Sequence, residues 1–111
     1  MTSEELATQL LDEVDHYDYP RVEGSFGAFW TPERVAEEIA LLRGALVQPS
    51  QRTLHVYERP NEIVWLVASL DEVAVYFDEV RGECGLGSIQ SDGSVKDWGI
   101  YGDFVGTFMA R

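Results

Sequence analysis

Residues 62–69 read Glu-Ile-Val-Trp-Leu-Val-Ala-Ser and residues 72–80 read Glu-Val-Ala-Val-Tyr-Phe-Asp-Glu-Val, with only Leu70 and Asp71 between them. β-branched and aromatic residues dominate both runs, and a two-residue joint permits only antiparallel neighbours. Ile63 to Ala68 is apolar at every position. That pattern places the strand in the middle of a sheet with cover on both faces. Working outward, further strands are expected at Arg52–Glu58, Leu86–Ser91 and Val95–Tyr101. Arg59-Pro60-Asn61, Arg81–Gly85 and Ser91–Ser94 make the turns, and the Asp92-Gly93 pair is the clearest hairpin signal.

Upstream the period changes from two to 3.6. Leu6, Leu10 and Val14 recur on one helical face, and Thr2 with Glu5 forms a capping box. Thr31-Pro32 starts a second helix carrying Val35, Ile39, Leu42 and Leu46, with Gly44 weakening its last turn and Pro49 barring continuation. Pro20 stops the first helix, and Arg21–Trp30 reads as a Gly-rich aromatic loop. Gly102–Arg111 stays open: Asp103 could cap a short helix pairing Phe104 with Phe108, while Val105, Thr107 and Met109 also read as strand. The expectation is an α+β fold, a single domain over 1–111, with two N-terminal helices packed on one face of a four- to six-stranded antiparallel meander sheet.

The chain has 111 residues, 45% hydrophobic and 25% charged, as a globular domain does. Its charge is less ordinary. Twenty acids against eight bases give a net charge of −12, with ten acids in residues 1–50 and ten in 51–111. An acidic surface spread over the whole domain argues against direct nucleic-acid or anionic-membrane binding, which need cations to meet phosphates. Cys84 is the single cysteine, which excludes an intramolecular disulfide and suits a reducing cytoplasm. Met-Thr-Ser-Glu-Glu-Leu lacks the cationic start and apolar run of an export signal, and the six-residue run Ile63–Ala68 is far short of the roughly 20 needed to span a bilayer.

Catalytic motifs fail on spacing. Gly85-Leu86-Gly87-Ser88-Ile89-Gln90 puts Gln90 where a dinucleotide loop needs glycine, and Lys96, the only lysine, has no phosphate-loop context. Gly24-Ser25-Phe26-Gly27 misses the nucleophile-elbow spacing. Glu83 beside Cys84 disfavours the thiolate. His16 and His55 form no metal-ligand pair, and the acids Asp12, Glu13, Asp15 and Asp18 lack the order of a calcium loop. No metal, no cofactor and no catalytic set is expected.

A better-placed set of acids marks the hairpin ends, among them Asp71, Glu72, Asp78, Glu79, Glu83, Asp92, Asp97 and Asp103, with Trp98 and Tyr101 nearby. Aromatic anchors ringed by acids suit a basic protein partner, the aromatics supplying buried contact and the acids steering. The partner-binding candidates are therefore Asp78, Glu79, Glu83, Asp92, Asp97, Trp98, Tyr101 and Asp103. Residues 54–103, through Ile63–Val67, Val73–Phe77 and the Gly-rich, acid-flanked segment after them, resemble bacterial immunity proteins that neutralise a cognate toxin. The resemblance implies a cytosolic, non-enzymatic inhibitor occluding a basic cleft, with a nuclease as the natural target. Two other readings remain. A cone-shaped fold like cystatin-like or nuclear-transport-factor-like proteins would make His55, Tyr76 and Asp78 pocket residues of a small-molecule enzyme or carrier. An acidic nucleic-acid mimic would bind many basic proteins.

Overall fold

The structure, a computed structural model, describes residues 1–17 and 31–111. The expected loop Arg21–Trp30 lies outside the described residues. Along the chain run α1 (Ser3–Asp15), α2 (Pro32–Ala45), β1 (Leu46–His55), β2 (Glu62–Leu70), β3 (Val73–Asp78), β4 (Glu83–Ile89), β5 (Val95–Gly102) and α3 (Phe104–Met109).

Both expected helix starts are present. Thr2 accepts from the Glu5 amide while the Glu5 side chain accepts from the Thr2 amide, and Thr31 accepts from Arg34 N ahead of Pro32. α1 buries Leu6, Leu10 and Val14, and α2 buries Val35, Leu42 and Ala45.

The strands form a meander in the order β1-β2-β3-β4-β5, as expected, but the sheet does not stay open. It rolls into a closed barrel in which β5 pairs back onto β1 through Leu54↔Val95 and His55↔Lys96. In an up-and-down meander of five strands the first and last run the same way, so this seam is parallel while the other four pairings are antiparallel. That corrects the purely antiparallel expectation. A second correction concerns the helices, which are not all N-terminal. Asp103 caps α3 by accepting from Gly106 N at 3.0 Å, and Phe104, Val105, Phe108 and Met109 are buried. Burial on nearly every side of this short helix explains why its sequence carried no decisive period.

Strand boundaries also differ: β1, β3 and β4 end at His55, Asp78 and Ile89, two or three residues before the expected Glu58, Val80 and Ser91, and two of them start earlier. β1 starts at Leu46, directly after α2, and accommodates Pro49 because the pairing with β2 shifts register between Leu46 and Ser50. Glu83 and Cys84 belong to β4, so Cys84 is a buried strand residue; the turn expected at Arg81–Gly85 is made ahead of them, where the Gly82 amide donates to Asp78 O at 2.8 Å.

Rolling the sheet creates two apolar cores. Outside the barrel, the helices cover Val67, Ala68, Val75, Phe77, Cys84 and Leu86. Inside it, Leu54, Val64, Leu66, Ala74, Tyr76 and Val95 fill the lumen. β2 is apolar on both faces because one faces the lumen and the other the helices; a bulge between Leu66 and Ala68 adds Val67 to the outer side.

Tyr76 is the largest lumen side chain, and its cross-strand neighbour is Gly85. A Cβ at Gly85 would lie 2.3 Å from the Tyr76 ring, and one at Gly87 would lie 2.5 Å from the Lys96 carbonyl. Gly85 is the floor on which the tyrosine lies, while Gly87 makes room for the β5 backbone at Lys96. We expect Gly85→Ala to destabilise the fold by about 1–3 kcal/mol through overpacking. Gly44→Ala, in an α2 turn with open space around it, should stabilise by about 0.5–1 kcal/mol. Urea denaturation of the two variants checks both signs.

Candidate functional site

β5 carries the most distinctive polar arrangement. Asp97 pairs with Gly87 and Tyr101 with Gly85, so between these pairings β5 uses four steps where β4 uses two. The excess is absorbed as a bulge at Trp98-Gly99, where Gly99 takes φ +77°. The bulge brings Tyr101 back to Asp97. The Tyr76 hydroxyl donates to Asp97 Oδ1 at 2.6 Å, and the Tyr101 hydroxyl donates to Asp97 Oδ2. One carboxylate thus holds two phenols, one from the barrel lumen and one from the surface.

Burial first, and then the bond to Asp97, pushes the Tyr76 phenol far above its ordinary value; for Tyr101 the bond to Asp97 is the leading cause. Both are neutral donors at physiological pH. The Arg81 guanidinium lies over the Tyr101 ring at 5.8 Å, and its Nε is 3.6 Å from Asp78 Oδ2. Trp98 is fixed separately: its indole N–H donates to Ser88 Oγ at 2.6 Å while the side chain stays 43% exposed.

The other candidates divide between the two ends of the β4–β5 ladder. At the β3–β4 end, Asp78 is buried and caps the turn by accepting from Val80 N and Arg81 N at 3.0 and 3.2 Å. Glu79 pairs with the Met1 ammonium at 3.2 Å. Glu83 opens β4 opposite Asp78, and Asp103 caps α3. Glu83, Asp103 and Glu13 of α1 act together on Cys84, whose thiol is pushed strongly upward by burial first and by these three acids next. Glu13 itself is raised by burial and then by Asp103 and Asp12. At the opposite end Asp92 accepts from Ser94 N at 2.9 Å and so belongs to the hairpin turn. The eight candidates therefore do not form one patch. Asp97 and Tyr101 are joined, Trp98 lies next to Asp97 in β5, and Asp92 is remote from Asp78, Glu83 and Asp103.

The residues set aside for a pocket separate as well. Tyr76 fills the lumen, Asp78 caps a turn, and His55 lies on the seam with Nδ1 2.9 Å from Asn61 Oδ1. The two cavities beside His55 are lined by neither Tyr76 nor Asp78. One, about 380 Å³, is polar and runs along Gln51, Arg52 and Thr53 to the Asp92–Ser94 turn, where Arg52 Nη1 donates to Gly93 O at 2.9 Å. The second, about 340 Å³, is walled by His55, Val56, Tyr57, Gln90, Lys96 and Asp97. Sequence reasoning passed over Tyr57, which the parallel seam brings into the groove with Asp97, and Gln90 and Lys96, which the β4–β5 hairpin already places beside it; the available signal was Lys96, adjacent to Asp97 in the chain.

The cluster Asp12–Asp15 is engaged in pairs: Asp12 with His16 at 3.1 Å and Asp15 with Arg43 at 2.6 Å, while Asp18 lies outside the described residues. Among the described residues no three of His, Cys, Asp and Glu are grouped to hold a metal ion, and no helix is long and apolar enough to cross a membrane. No family model, no curated protein and no solved structure matches this chain.

Two pH effects follow. Tyr76, Tyr101 and Tyr17 all have phenols raised above 10.0, so ionisation is harder in the fold than in the unfolded chain. The phenols' contribution to stability is then fully present below pH 10 and falls as pH rises beyond it, a loss that Tyr76→Phe should blunt while lowering neutral-pH stability by about 1–2 kcal/mol. Glu13, raised above 4.5, has the same sign at lower pH: its charged form costs stability as pH rises. Glu13→Gln should stabilise at pH 7 by less than about 1 kcal/mol, since the group is partly exposed, and the gain should vanish below pH 4. Thermal unfolding across pH 3–11 reads both.

Proposed function

We propose that this chain is an immunity-type protein that binds and neutralises a basic bacterial toxin, a nuclease being the natural target, in a reducing cytoplasm and by stoichiometric contact. The observation that carries the reading is the state of Trp98 and Tyr101. Both are large aromatics left 43% and 40% exposed, yet each is held by a hydrogen bond, to Ser88 and to Asp97. Aromatics fixed before binding lose little side-chain freedom when a partner covers them, which is what a hot spot requires. Acids bracket this strand: Glu83 and Asp103 at one end, Asp92 at the other, Asp97 within it. With a net charge of −12, the domain attracts a cationic partner over long range, and the aromatics then slow its release.

The test is a pull-down from the source organism at moderate salt, followed by calorimetry on any protein retained. One basic partner at 1:1 stoichiometry is expected. Trp98→Ala should weaken it by about 30-fold or more, chiefly through faster dissociation, whereas added salt should mainly slow association. Many basic proteins released together by salt would instead support nucleic-acid mimicry, and an empty bait would overturn the inhibitor reading.

A further inference from the structure

The groove at the barrel seam combines a fixed anion with an apolar wall. Asp97 accepts one phenol on each oxygen, from Tyr76 and Tyr101, and also lines the groove. A carboxylate has about four acceptor positions, so roughly one per oxygen is left. Because Tyr76 is locked in the lumen against Gly85, the carboxylate plane is fixed before anything binds. The two phenols are neutral and leave the negative charge uncancelled. Val56 and Tyr57 line the same groove as Asp97, and Tyr57 is 88% exposed.

We propose that this groove receives one arginine side chain of the basic partner, with Asp97 as its counter-ion and the Tyr57 ring as its platform. The inference rests on the inhibitor reading above and specifies its contact. A guanidinium presents two parallel N–H groups to the two remaining carboxylate positions and stacks on an aromatic face, whereas a lysine ammonium is a point charge that can do neither as well. Lys96 and His55 line the same groove. Lys96 opposes a cation, so entry depends on the paired hydrogen bonds to Asp97. The surrounding field of a −12 domain works in the other direction and draws the arginine in.

The experiment is an amide NMR titration of the full chain with ethylguanidinium chloride, using ethylammonium chloride and sodium acetate at matched ionic strength as comparisons. The expected result is saturable shifts confined to residues around Tyr57, Gln90, Lys96 and Asp97 with ethylguanidinium, and binding about tenfold weaker with ethylammonium. Asp97→Asn should abolish the response. Tyr57→Ala, which alters an exposed side chain and leaves the lumen intact, should weaken it several-fold, and Lys96→Met should strengthen it. Acetate shifting the same residues, with loss in Lys96→Met, would make the groove an anion site and overturn the proposal; so would guanidinium shifts spread evenly over the surface. The two readings fail separately. A basic partner that binds Asp97→Asn and Tyr57→Ala as tightly as the parent chain removes the arginine contact and leaves the inhibitor reading standing. Ethylguanidinium binding in a chain that retains no basic protein does the reverse.

Discussion

The contact on which the structure depends is Tyr76 lying on Gly85 with its hydroxyl on Asp97. A five-stranded barrel has a narrow lumen, and aliphatic side chains from β1, β2, β3 and β5 fill most of it. One aromatic completes the packing only if the strand beneath it gives up a side chain, as β4 does at Gly85. The phenol must then find an acceptor, because an unpartnered hydroxyl in an apolar interior is costly. Asp97 supplies it from β5, and in doing so fixes the position of a charged group at the surface. Packing inside the barrel and electrostatics outside it are therefore parts of one arrangement. A change made for volume at position 85 alters the charge geometry at position 97.

Arrangement of the acids follows the same economy. Several carboxylates that look like an interaction surface along the chain are occupied with local structure: Asp78 and Asp92 close turns, and Asp103 starts a helix. Such roles leave the charge available to the long-range field while removing the side chain's freedom to adapt to a partner. Asp97 differs because its restraints come from the side chains of Tyr76 and Tyr101 and not from the amides of its own turn, and because it lines a groove.

Much of this fold was legible in the sequence. Thr2 with Glu5 and Thr31 with Pro32 mark helix starts by chemistry that acts within one turn, and the Asp92-Gly93 hairpin is equally local. The doubly apolar β2 announced two covered faces. What could not be read was the nature of the second cover, because closure depends on the coil of the whole sheet and on which strand lacks side chains. The start of β1, expected at Arg52 and found at Leu46, escaped for a related reason: a register shift takes up Pro49 within the strand, and nothing near Pro49 in sequence encodes the partner strand's register. The site was legible to the same extent. Asp97, Trp98 and Tyr101 are neighbours in the chain and were grouped, whereas Tyr57 reaches the groove beside Asp97 only across the seam.

That seam has a consequence for how the molecule is made. Leu54↔Val95 and His55↔Lys96 join strands distant in the chain, while the other pairings grow outward from short turns. Loop closure of this length gains nothing until both ends exist, so the hairpins from β1 to β4 form while the lumen is still open on one side. Without β5 on β1, the apolar inner faces of β2 and β3 lack part of their cover. The last strand made is thus the one that both seals the barrel and carries Asp97, Trp98 and Tyr101, and a chain truncated before it would expose sticky strand edges to its neighbours.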